Sequence, residues 1–174
     1  LNIQDNDTVI PPVYISEIAD PGDNFEGRFV ELFNPTNEDI DLGSGNWNIV
    51  YYVNGSSNGP AIPLFGTISA RGTFVIANNS VNFAAPYPDA PAPDQESSTI
   101  NSNGDDNIEL RFGGDQSTGA LVDVYGQPGT DGTGEIWEFL DSRVDRAVGA
   151  PNATFTIEEW IITPAVVADM TPSV

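Results

Sequence analysis

Apolar and polar positions alternate along this chain in short runs, cut apart by Gly, Pro, Asn and Asp. Alternation with a period of two places successive side chains on opposite faces of an extended backbone, whereas a helix needs a repeat of 3.6, so the pattern predicts β-strands. The clearest runs fall at 13–19, 28–34, 47–53, 62–65, 73–77, 108–112, 121–125, 136–140, 143–148 and 154–162. In the second, Val30 and Leu32 share one face and Phe29, Glu31 and Phe33 the other. In the third, Trp47, Ile49, Tyr51 and Val53 share a side. About nine or ten short antiparallel strands separated by turn residues predict an all-β sandwich, with a barrel as the runner-up. The one expected departure lies at 157–162, where Glu158 and Glu159 favour a helical turn.

The pattern divides the chain into a sandwich at 13–162 between two extended arms, 1–12 and 163–174. The first arm is closed by Pro11-Pro12, and the second holds the apolar stretch Ala165-Val166-Val167-Ala168. An extended arm adds a strand to a neighbour's sheet through main-chain hydrogen bonds, with alternate side chains as anchors. Leu1, Ile3, Val9 and Ile10 are the expected anchors for such assembly. Between the fifth and sixth runs, residues 78–102 are rich in proline and lack periodicity, which predicts an irregular loop. Tyr87 in that loop is the expected exposed ligand contact, while Trp47, Tyr51, Tyr52, Trp137 and Trp160 are expected in the core.

Composition narrows the chemistry. The 174 residues include no Cys, no His and no Lys, and the five basic residues are Arg28, Arg71, Arg111, Arg143 and Arg146. Imidazole catalysis, thiolate nucleophiles, zinc-thiolate sites, disulfides and Schiff bases are thereby excluded. Twenty-six acids bring the formal net charge to -21. Nucleic acid is not an expected partner, because phosphates are bound by neutralising them with Lys and Arg. Direct membrane insertion is not expected either, since no apolar run is long enough to span a bilayer. No cofactor is required by this inventory. Calcium is the one candidate, because it takes carboxylate, amide and carbonyl oxygens. Asn103, Asp105, Asp106 and Asn107 form the favoured cluster, ahead of Asp20, Asp23 and Glu26 and of Asp131, Glu135 and Asp141. None has EF-hand spacing. Glu31, predicted mid-strand between Phe29 and Phe33, is expected to be held by an arginine or by loop backbone, with a metal-ligand or acid-base role as the alternative.

Several segments in order resemble the bacterial type of lamin tail domain. They are Val13-Tyr14-Ile15-Ser16-Glu17-Ile18, FVELFNPTNEDIDL from Phe29, Trp47, GTFVIAN from Gly72, GDDNIELR from Gly104 and Val122-Asp123-Val124-Tyr125-Gly126. Trp137, Arg143, Thr154, Phe155 and Trp160 extend the resemblance toward residue 162. The resemblance implies an immunoglobulin-like β-sandwich that is an accessory or surface module and not a catalyst, and it transfers no active site. The resulting expectation is a non-catalytic bacterial protein, extracellular or at the cell surface. It would associate with like subunits or cell-surface protein partners by strand addition, as in a filament or surface layer. The alternative is an accessory or targeting module of a secreted nuclease or hydrolase, binding calcium or glycan. Because the first residue is Leu1, a processed or excised chain is expected.

Overall fold

The computed structural model describes residues 9–170 and 172. Twelve strand segments follow one another: β1 (Tyr14–Asp20), β2 (Phe29–Phe33), β3 (Ile40–Asp41), β4 (Asn48–Tyr52), β5 (Ala61–Pro63), β6 (Thr67–Ile68), β7 (Thr73–Ala77), β8 (Gln95–Glu96), β9 (Asn107–Phe112), β10 (Ala120–Tyr125), β11 (Ser142–Arg146) and β12 (Trp160–Pro164). They form a six-stranded sheet, β12-β11-β1-β2-β7-β8, facing a four-stranded sheet, β10-β9-β4-β5, with β3-β6 as a small ribbon. This is an immunoglobulin-like all-β sandwich. Every pairing is antiparallel except that of β7 with β8.

The alternation in the sequence builds the main core. Val30 and Leu32 of β2, Ile15 and Ile18 of β1 and Ile76 of β7 meet Trp47, just before β4, Ile49 and Tyr51 of β4 and Ile108 and Leu110 of β9 between the sheets. Tyr125 is a hub of that core. Its ring packs against Trp137, Phe139, Phe155 and Trp160, and its hydroxyl donates to the Trp137 carbonyl at 2.6 Å.

A second core lies on the opposite face of the larger sheet. Ala19, Phe29, Val75 and Ala77 are covered there by Phe83, Tyr87, Ala165 and Met170. This cover explains why β2 is buried on both faces, Glu31 included. Glu31 accepts a hydrogen bond from Ser16 Oγ at 2.6 Å. The cover also corrects two expectations. Residues 78–102 are not wholly irregular: a helical turn, α1 (Ser80–Ala84), and strand β8 lie within them. Residues 163–170 are not a free arm either. β12 runs to Pro164, Ala165 and Met170 are buried, and the Val167 N–H donates to Asp23 Oδ1 at 2.8 Å.

Residues 136–140 also depart from expectation, forming turns and no strand. Their alternation arises because Trp137 and Phe139 plug the core while Ile136 and Leu140 face solvent. At 154–162 the helical turn and the strand both occur, in sequence: a 3-10 turn at Ile157–Glu159 leads into β12.

Candidate functional site

Two features of this frame are open to partners: a polar cleft around 102–107 and the outer edge of β12. The cleft begins with a backbone requirement. Gly104 adopts φ +97°, and a Cβ there would lie 2.2 Å from the Leu140 nitrogen. Only glycine lets the turn press against 139–140, where the Gly104 carbonyl accepts from the Phe139 N–H at 2.8 Å. The following three residues then diverge. Asp105 Oδ2 accepts from Thr133 Oγ1 at 3.2 Å, and Asn103 Nδ2 is 3.5 Å from the same oxygen. Asp106, 2 % exposed, accepts the Asn54 N–H at 3.0 Å. Asn107, wholly buried, donates to the Thr130 carbonyl at 3.0 Å.

Thus the structure buries Asp106 and Asn107, leaves Asp105 half-buried and puts Asn103 on the exposed rim. The cleft beside it is lined by Asn103 and Asp106 together with Arg28, Tyr51, Asn54 and Asn101. Arg28 is committed to Asp20 at 2.7 Å and to Asn101 Oδ1 at 3.0 Å. No group of three or more carboxylates is gathered for a metal ion among the described residues. The other two acidic groups of the sequence serve loop structure. Asp20 pairs with Arg28, Asp23 receives the Val167 N–H, and Asp131 receives the Thr133 N–H.

Burial pushes the Asp106 carboxyl up to about 6, with the neighbouring Asp105 adding to the rise. Because the folded chain holds this proton more tightly than the unfolded chain, the contribution to stability is full below about pH 4 and is lost as the pH rises toward 6. With a chelator present, urea denaturation should show Asp106→Asn gaining about 2 kcal/mol relative to the parent between pH 4 and pH 7. The amide keeps an acceptor for Asn54 and never ionises. An equal pH dependence in the two proteins would contradict this assignment.

Tyr87 is a correction. It is not an exposed contact but 6 % exposed, packed edge-to-face against Phe29 and tilted against Phe83, with its hydroxyl donating to the Gly27 carbonyl at 2.8 Å. The reason is helical spacing. Phe83 and Tyr87 are four apart on the turn that continues α1, joined by Tyr87 N–H to Phe83 carbonyl at 3.2 Å, so both rings fall on the sheet. Tyr87→Phe should cost about 1 kcal/mol in chemical denaturation, the value of one buried hydrogen bond.

The edges of the sheets differ in what they leave unpaired. At β5, the outward Pro63 carbonyl and Phe65 N–H are both taken by the Gln95 side chain, at 2.9 and 3.0 Å. That side chain comes from β8, so it also ties together the two sheets at that end. β10 is crossed by Asp123, whose carboxylate accepts the Ile15 and Asn152 N–H groups and the Arg146 guanidinium at 2.6 Å. β12 is different. The Ala147 N–H donates to the Glu159 carbonyl and the Ala165 N–H to the Asp141 carbonyl, which sets the alternation of its ladder with β11. Ile161 and Thr163 therefore spend their backbone groups on β11, while the N–H and C=O of Ile162 and the C=O groups of Trp160 and Pro164 point outward. The Trp160 N–H turns back to Ile157. Of the expected arm anchors, Val9 is 86 % and Ile10 38 % exposed, and Leu1 and Ile3 lie outside the described residues.

No curated protein matches the chain. The family profile described as Lamin Tail Domain matches residues 6–129, which takes in the strands from β1 to β10 and stops short of β11 and β12. With most of its length covered by that match, the chain belongs to the lamin tail domain family.

Proposed function

We propose that this protein is a non-catalytic contact module of the bacterial exterior, joining like subunits by strand addition at the outer edge of β12. The supporting observation is the row on that edge that makes no bond among the described residues: one donor, Ile162 N–H, and three acceptors, the carbonyls of Trp160, Ile162 and Pro164. Such a row fits an incoming strand that donates more N–H groups than it accepts, which requires a proline-free segment. Residues 1–10 of a second copy meet that requirement, with Pro11-Pro12 marking its end. The Ile161 side chain, 53 % exposed on the strand's outer face, supplies apolar contact area. At a net charge of -21, two copies repel, so association should strengthen as salt rises and screens that repulsion.

Proline scanning of β12 tests the proposal. At Ile162, proline removes an outward N–H and leaves the ladder to β11 intact, so Ile162→Pro should stay folded and lose association. At Thr163, proline removes an inward N–H and should destabilise the sheet itself. Deletion of residues 1–10 should match Ile162→Pro in sedimentation velocity. Association that survives both of those changes in folded protein would refute the proposal.

A further inference from the structure

The polar cleft that Asn103 and Asp106 share with Arg28, Tyr51 and Asn54 has two walls, and each is pinned from behind. One wall is the turn at 53–55. Its Asn54 N–H donates to Asp106 Oδ1 at 3.0 Å, and Gly55 presses so closely on 130–131 that a Cβ there would lie 2.6 Å from the Asp131 nitrogen. The other wall is the segment 98–101. Asn78 Nδ2 donates to the Ser98 and Ile100 carbonyls at 3.2 and 3.0 Å. Arg28 Nη1 donates to the carbonyl and Oδ1 of Asn101 at 3.3 and 3.0 Å. Both backbones are thus fixed, while the side chains they present are unspent. The Asn54 amide, the Ser98 and Thr99 hydroxyls, Asn101 Nδ2 and Arg28 Nη2 make no hydrogen bond among the described residues. Other loops spend such groups locally, as Ser56 Oγ is spent on the Asn58 carbonyl and Asp115 on Ser117.

We infer that this cleft binds an uncharged saccharide, with one sugar ring seated between the two walls. The cavity measures about 400 Å³, within the range of small-molecule sites. Its lining sets the class of ligand. Side-chain amides and hydroxyls donate and accept at once, as sugar hydroxyls do, while Arg28 adds a donor and Asp106 an acceptor. Val53, 49 % exposed on the same cleft, supplies apolar contact for the C–H groups of the ring. An anion fits poorly, because the Arg28 charge is already met by Asp20 at 2.7 Å and Asp106 adds a negative charge. A nucleobase lacks a stacking platform, since Tyr51, the one aromatic residue lining the cleft among the described residues, is 1 % exposed. With both walls pinned beforehand, little ordering of the protein opposes binding. No residue of β12 lines the cleft, so this inference is independent of the assembly edge and stands or falls alone.

Asn54→Gly and Thr99→Ala probe the two walls. Glycine accepts the φ of +47° at position 54, and neither side chain makes a bond that holds the fold, so the double variant should melt close to the parent. The full chain, applied at about 0.15 M salt to an array of uncharged, amino and uronic-acid oligosaccharides, should give signal on uncharged members. Titration calorimetry with the strongest of these should give one site per chain, and the double variant should bind it about tenfold or more weakly. Each single variant should bind it about threefold more weakly, which keeps the test intact if the pair together loses stability. A silent array, signal confined to amino or uronic-acid sugars, or an affinity unchanged in the folded variants would overturn the inference.

Discussion

Arg146→Met should lower the stability of the domain by about 3–5 kcal/mol, the cost of stranding a buried charge. Arg146 and Asp123 are 2 % and 0 % exposed and meet at 2.6 Å. The guanidinium also lies over the Trp160 ring at 4.3 Å, donates to the Ala150 carbonyl and faces Glu159 at 3.6 Å. Asp123 belongs to β10 of one sheet, Arg146 to β11 of the other, and the Ile15 N–H that Asp123 accepts belongs to β1. One ion pair therefore connects both layers. Without the arginine, Asp123 keeps two backbone donors but no countercharge. For a domain of this size the loss corresponds to roughly 10 °C in melting temperature.

The pH dependence distinguishes a lost charge partner from lost packing. Burial already raises the Asp123 carboxyl above its ordinary value, against the pull of Arg146. Removing the arginine raises it further. The deficit of Arg146→Met should therefore shrink as the pH falls and Asp123 takes up its proton, and Asp123→Asn in the same background should recover part of it. A deficit independent of pH would assign the effect to the Trp160 contact instead.

The second large effect is expected at Tyr125. Four aromatic rings surround it with centroids from 5.0 to 6.2 Å away, all of them beyond the span matched by the family profile. Tyr125→Ala leaves a cavity bounded by residues on the 137–139 turn, on β12 and at Phe155, and such truncations cost about 3–5 kcal/mol. Tyr125→Phe keeps the rings in contact but leaves the Trp137 carbonyl without its donor, a cost of about 1–2 kcal/mol. Paired unfolding curves should therefore place Phe well above Ala. Near-equal losses would mean that the hydroxyl, and not the ring, organises this end of the core.

Much of the frame could be read from alternation. β2, β4, β7, β9 and β10 fall within a residue or so of the expected runs, and Trp47, Tyr51, Tyr52, Trp137 and Trp160 are buried as expected. Period two fails where a residue's environment is set by distant chain. Phe83 and Tyr87 read as loop aromatics because the apolar face they cover belongs to β1, β2 and β7, far away in sequence. Their spacing of four was the available signal. β8 has only two residues and no pattern of its own, and its role depends on Gln95 reaching β5. The cluster at 103–107 could be recognised by composition, but not its division into exposed Asn103, half-buried Asp105 and buried Asp106 and Asn107. That division is made by Asn54, Thr130 and Thr133, from other loops.

The backbone amide of Ile162 tests the central claim most directly. Residue-resolved hydrogen exchange, compared between dilute and concentrated protein in salt, should show this amide becoming protected as copies associate, while the Ile161 and Thr163 amides, already bonded to β11, change little. An Ile162 amide that exchanges equally fast in the monomer and in associated protein would contradict assembly through this edge.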